Sequence, residues 1–317
     1  DDPKNCYYRA SMKYAQALFA EAISLAEKCI AGNPNPYPKL YGIEGYAYNR
    51  LGDSVKAKAA FESYFQKGDT SQIGMGDYAT YASVLLKFPG NDTLAGKYVD
   101  KAVELDTLEA NKLTYLTNIA SYYVMQKNYK EAADWYSKIL KVRKDTRKTD
   151  LFNAGNNYAK AKEFPAAIEV FDQYIQKFPN ESMGYYMNAR NYLNIDSTDA
   201  EGKGLAYYNK IVDMADSIKD KPGEKERIKY SLQYLIEYSA NVKKDKAASL
   251  AYVDRGLALD STDAEFKNMR EVISNANFSA PRNQSPKQDK PATPKAGSKP
   301  SAEKPNATKQ PADSGNK

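Results

Sequence analysis

Three stretches of this chain repeat one apolar pattern, and their spacing limits the folds open to it. In the first, Tyr129 is followed by Ala132, Ala133, Trp135, Tyr136, Ile139 and Leu140. In the second, Phe164 is followed by Ala167, Ile168, Phe171, Tyr174 and Ile175. Near the start, Phe19 is followed by Ala22, Ile23, Cys29 and Ile30. Each stretch has an aromatic residue, a small Ala three positions on, and then large apolar residues at helical spacing. Ala132 and Ala167 are 35 residues apart, and Ala22 and Ala132 are 110 apart, close to three such periods. A fixed period of this length marks a chain built by stacking one small unit.

The residues upstream follow the same rule. Leu116, Ala120 and Tyr123 precede the first stretch, and Leu151, Gly155 and Tyr158 precede the second. Tyr41, Gly45 and Tyr48 precede a further unit with Gly52, Asp53, Ala57, Phe61 and Tyr64. Two antiparallel helices approach closely only where a small residue faces the neighbour, and large residues on either side fill the remaining space. Gly45, Ala120 and Gly155 would serve this purpose on first helices, and Ala57, Ala132 and Ala167 on second helices.

The pattern resembles the tetratricopeptide repeat. The resemblance implies an all-α, right-handed superhelical solenoid. Seven antiparallel pairs are expected at 3–36, 38–71, 76–109, 113–146, 148–181, 182–217 and 224–262, with an insertion around 196–202. The segment Asp263–Ser274 carries Phe266, Met269, Val272 and Ile273 on one stripe and should cap the stack. The repeat domain would occupy 1–278. Residues 279–317 hold seven of the fifteen prolines, eight Lys/Arg, three Asp/Glu and no aromatic residue. That composition predicts a disordered Lys/Pro-rich tail, a tether or an arm making non-specific contact with acidic surfaces.

Charge and residue usage exclude several functions. The formal charge is +6, but the tail carries +5 of it, so residues 1–278 are close to neutral and offer no basic groove for specific nucleic-acid binding. Histidine is absent, which rules out His-based catalytic triads and His-ligated metals. There is no glycine-rich phosphate loop, no metal-ligand spacing and no apolar run long enough to span a bilayer. Neither catalysis nor a cofactor is expected. The chain opens on Asp1 without Met, as expected of a processed or truncated product.

In the tetratricopeptide family, binding is expected on the groove lined by first helices, where an extended peptide or a partner helix would lie. The corresponding positions here include Tyr7, Tyr14, Tyr46, Asn49, Thr117 and Ser121. The protein-binding candidates are Phe152, Asn153, Asn156, Tyr186 and Arg190. Asn side chains can pair with a peptide backbone, Arg with a carboxylate, and Tyr supplies contact area. The family subclass that clamps a terminal carboxylate is not reproduced. Thr117 and Ser121 stand where Lys and Asn would be, and Met183 and Met187 where Lys and Arg would be. These features point to a non-catalytic interaction scaffold or, alternatively, a structural subunit of an envelope assembly or secretion complex. Most of the 27 tyrosines fall at inter-helix positions and read as core.

Two features bear on the compartment. Cys6 and Cys29 face each other if residues 4–31 form a helix pair. No turn signal interrupts that stretch, however, and one continuous helix would hold the thiols ~35 Å apart. Both alternatives stand. Asp-Ser/Thr triplets recur at Asp53, Asp92, Asp106, Asp196, Asp216 and Asp260. They are similar to the O-glycosylation sequon of Bacteroidetes-type envelope proteins, although Asp, Ser and Thr also suit helix caps and turns. The expectation is a bacterial cell-envelope location, periplasmic or outer-membrane associated, with the cytoplasm as the alternative.

Overall fold

A computed structural model describes residues 3–278, and those residues fold as helices joined by short turns. The tail reading concerns 279–317 and lies outside the described residues. The elements are α1 (Pro3–Ala15), α2 (Phe19–Ala31), α3 (Lys39–Arg50), α4 (Ser54–Lys67), α5 (Met75–Leu85), α6 (Asp92–Leu105), α7 (Glu109–Met125) and α8 (Tyr129–Val142). They continue with α9 (Lys148–Lys160), α10 (Phe164–Lys177), α11 (Ser182–Ile195), α12 (Lys203–Asp213), the short α13 (Ala215–Ile218), α14 (Glu224–Tyr238), α15 (Lys246–Leu259) and α16 (Ala264–Asn275). Successive helices pack in pairs, and each of the seven expected units contains one pair. Among the described residues there is no strand, and no helix is long and apolar enough to cross a membrane.

The turn within each pair contains a residue in the left-handed region. These are Ala17, Gly52, Gly90, Lys127, Lys162, Asp199 with Gly202, and Lys244. Only some are glycine, the residue that adopts this conformation without steric cost. Ala17, at φ 60°, breaks the chain between α1 and α2 where the sequence shows no signal. The continuous-helix alternative for 4–31 is thereby overturned. Cys6 and Cys29 face each other across the pair and form a disulfide, with Cα atoms 6.1 Å apart.

Five helix starts are fixed by carboxylates. Asp53, Asp245 and Asp263 accept backbone N–H bonds at the starts of α4, α15 and α16. Asp77 and Asp150 reach back to the N–H groups of Gly74 and Arg147, at 2.8 and 3.0 Å. Each such bond satisfies a donor that the first helical turn leaves unpaired.

The core follows the small-residue logic. Ala22, Ala57, Ala132 and Ala167 are fully buried, and Gly45 and Gly155 lie against the Phe61 and Phe171 rings. At the far end, α16 places Phe266 against Gly256 and buries it completely, so the last pair has its cap.

Candidate functional site

First helices lie beside one another along the stack. Contacts join α1 to α3, α3 to α5, α5 to α7, α9 to α11 and α11 to α14. Clefts open along this row. One of about 260 Å³ is lined by Asn49 of α3, Thr80 and Ser83 of α5, and Thr114 and Asn118 of α7. A larger one, about 610 Å³, lies between α11, α14 and the start of α16. Met183 and Tyr186 form one wall, Glu226, Lys229, Tyr230 and Gln233 form the other, and Glu265 closes the end.

The five candidate residues divide between two helices that touch, α9 and α11. The half-buried Phe152 meets the Phe171 ring edge-on, with centroids 6.4 Å apart, so much of its area is spent inside its own pair. Asn153 accepts the Asn157 side-chain N–H through its backbone carbonyl at 2.7 Å. Asn153 and Asn156 are both half-buried on α9. On α11, Arg190 is exposed and places its guanidinium 5.7 Å from the centre of the Tyr186 ring. Tyr186 also packs edge-on against Tyr230 and Tyr208, at 5.5 and 6.4 Å. Of the five, Tyr186 alone lines the larger cleft.

Sequence reasoning missed the other wall of that cleft, because α14 matches the repeat pattern poorly at its small positions. The missed residues are held by a polar network. The Ser182 hydroxyl donates to the buried Glu224 carboxylate and accepts from Arg227 Nε at 2.6 Å. Arg227 also pairs with Glu224 at 3.0 Å. Lys229 reaches Asp263 at 2.8 Å and Glu265 at 2.6 Å, and these two acids raise its pKa. Gln233 donates to Glu265 at 2.9 Å.

A second missed feature is a set of tyrosine–acid bonds between neighbouring pairs. Tyr48 donates to Glu27, Tyr158 to Asp134, Tyr207 to Asp172 and Tyr234 to Asp199, at 2.8–3.1 Å. Burial and the adjacent carboxylates push these hydroxyls up; for Tyr48 the pKa is about 12. Tyr46 donates to Asp77 in the same manner at 2.7 Å. The rings pack between helices, as the sequence predicts, while the hydroxyls tie one pair to the next.

Three acids of the Asp-Ser/Thr triplets hold turns. Asp106 accepts from Leu108 N–H, Asp196 from Thr198 and Ala200, and Asp260 from Thr262. Thr93, Thr107, Ser197, Ser217 and Ser261 are exposed, and Ser54 is half-exposed.

Residues 151–181, most of α9 and all of α10, match the tetratricopeptide repeat model. The C-terminal part of a tetratricopeptide repeat-containing protein from Cytophaga hutchinsonii is 25% identical over 83% of this chain and 98% of its own, with a TM-score of 0.46. A tetratricopeptide repeat protein from Parabacteroides merdae is 12% identical over 86% of this chain and 99% of its own, with a TM-score of 0.38. No curated protein matches the chain. The chain thus carries a tetratricopeptide repeat in α9 and α10, set within a run of helix pairs built to the same plan.

Proposed function

We propose that the protein is a non-catalytic interaction scaffold that holds an extended peptide or a partner helix along the row of first helices. The observation that carries this reading is the pair of clefts on that row, which are lined by Tyr, Asn, Thr and charged side chains. Rigid helices on both sides present these groups with little ordering cost, which favours binding. Phe152, Asn153, Asn156, Tyr186 and Arg190 are the contact residues proposed for the middle of the row. The test is retention of a partner by the full chain and by its Asn156→Ala and Arg190→Ala variants. Equal retention by all three would remove α9 and α11 from the contact surface.

A second reading, a permanent subunit of an envelope assembly, draws support from the Cys6–Cys29 disulfide. Such bonds persist in oxidising compartments such as the periplasm. In that case the protein purifies from its native source at a fixed ratio with a partner. Recovery of the chain alone from the cytosolic fraction would reject both the assembly and the envelope location.

A further inference from the structure

The larger cleft carries a charge pattern that the groove reading alone does not use. Arg227 and Lys229 line it, but neither is free to meet a ligand's charge. Arg227 is held by Glu224 and Ser182, and Lys229 by Asp263 and Glu265. Two carboxylates, Glu226 and Glu265, line the cleft beside these two cations, and Glu224 and Asp263 pair with the cations from outside the lining. Glu226 is exposed in the first turn of α14 and forms no ion pair among the described residues. Glu265 keeps a side-chain exposure of 61% despite its contact with Lys229.

The aromatic groups sit in register with these acids. Tyr230 stands four residues after Glu226, so both project from the same face of α14. It is 46% exposed. Opposite it, Tyr186 already holds a guanidinium, that of Arg190, over its ring. A cation placed across Tyr230 would meet the negative face of the ring and the Glu226 carboxylate together. Its aliphatic stem would lie on Tyr230 and Met183 while the head stays near water.

We propose that this cleft recognises a lysine or arginine side chain on an extended segment of a partner protein. The proposal rests on the groove reading above and adds the chemical class of the partner to it. Charge complementarity selects this occupant: an acidic segment would meet unpaired Glu226, and both cations that line the cleft, Arg227 and Lys229, are already paired, the exposed Arg190 lying over Tyr186 outside the lining.

The test uses the full chain and short fluorescein-labelled peptides of alternating lysine–glycine, glutamate–glycine and serine–glycine, followed by fluorescence anisotropy. The lysine peptide should bind, and should weaken as salt rises. It should lose about fivefold or more in affinity with Glu226→Gln and with Tyr230→Ala. Glu226→Gln alters an exposed, unpaired side chain, so its circular dichroism should match the parent's and keep the comparison valid if Tyr230→Ala fails to fold. Equal binding of the lysine peptide by Glu226→Gln would overturn the proposal. Equal or tighter binding of the serine or glutamate peptide, lost with Tyr230→Ala, would overturn the charge class and leave the groove reading standing. Binding of none of the three would overturn both.

Discussion

A Cβ atom placed on Gly155 would lie 2.7 Å from the Phe171 ring, closer than real Cβ atoms come to a neighbouring heavy atom. The same contact recurs between Gly45 and Phe61 at 2.8 Å and between Gly256 and Phe266 at 2.6 Å. In the first two cases a glycine of the pair's first helix lets the aromatic ring of the second seat fully; in the third, a glycine of α15 admits the ring of the capping helix α16, and all three rings are completely buried.

Gly155→Ala should therefore lower stability, even though alanine is the better helix former. The added methyl forces Phe171 or the helix axis to move, a cost of about 1–3 kcal/mol for overpacking. A denaturant titration followed by far-ultraviolet circular dichroism would measure it. Adding Phe171→Leu should recover part of the loss, because the two changes act on one contact. A midpoint unchanged by Gly155→Ala would show that this crossing is not close-packed.

The small-large pairing was legible in the sequence because Gly155, Ala167 and Phe171 repeat at fixed spacing. The same signal placed the best-matched pairs, whereas α14 matched it poorly and the cap was read from the apolar stripe of Phe266, Met269, Val272 and Ile273. What stayed hidden has physical causes. Ala17 turns the chain without glycine, so nothing in residues 4–31 announces a break, and the Cys6–Cys29 contact could not be chosen over its alternative. The hydroxyls of Tyr48 and Tyr158 bond acids on the preceding pair, a relation fixed by how pairs stack rather than by local spacing. Of the candidate groove residues, Phe152 turned partly inward. Tyr186 instead joined residues of α14 and α16 that the repeat pattern did not pick out.

Glu44 gives a pH dependence of definite sign. It is buried on α3, and burial, with Glu27 adding repulsion, pushes its carboxyl up to about 7. Below the ordinary carboxylate range Glu44 is protonated in both the folded and unfolded states and costs nothing. As pH rises toward about 7, the unfolded chain ionises while the folded one holds the proton, so stability is lost across that window. Glu44→Gln should match the parent near pH 4 and exceed it by about 1–2 kcal/mol near pH 8, after allowance for solvent screening. Urea midpoints for both proteins at the two pH values would decide it. An equal difference at both would remove ionisation as the cause.

The disulfide should hold the first pair together. It links residues 23 apart, and closing a loop of that size in the unfolded chain is worth about 3 kcal/mol in the chain-entropy model. Reduction, or Cys6→Ser with Cys29→Ser, should raise amide exchange in α1 and α2 and leave α9 and α10 nearly unchanged, because stacked repeats feel mainly their neighbours. The intact protein should gain no mass from a thiol-alkylating reagent without prior reduction. Alkylation of both cysteines in the unreduced protein would refute the bond.

Ala17, Lys127 and Lys162 hold equivalent turns in the left-handed region, with φ of 60°, 58° and 64°. Gly52 makes the corresponding turn in the second pair at 83°. A side chain in this region costs about 1–2 kcal/mol, partly offset by the greater freedom that glycine gives the unfolded chain. Lys127→Gly and Lys162→Gly should each stabilise by about 0.5–1 kcal/mol. Both sites are exposed, so no packing is lost. Ala17→Gly should act likewise, and through the α1–α2 turn it should also lower amide exchange around Cys6 and Cys29. Thermal melts of the three variants, with Lys97→Gly inside α6 as the control, separate the two effects of glycine. The control should lose stability by about 1 kcal/mol. Losses at Lys127 and Lys162 equal to the control's would mean that the left-handed turn does not set the joint between paired helices.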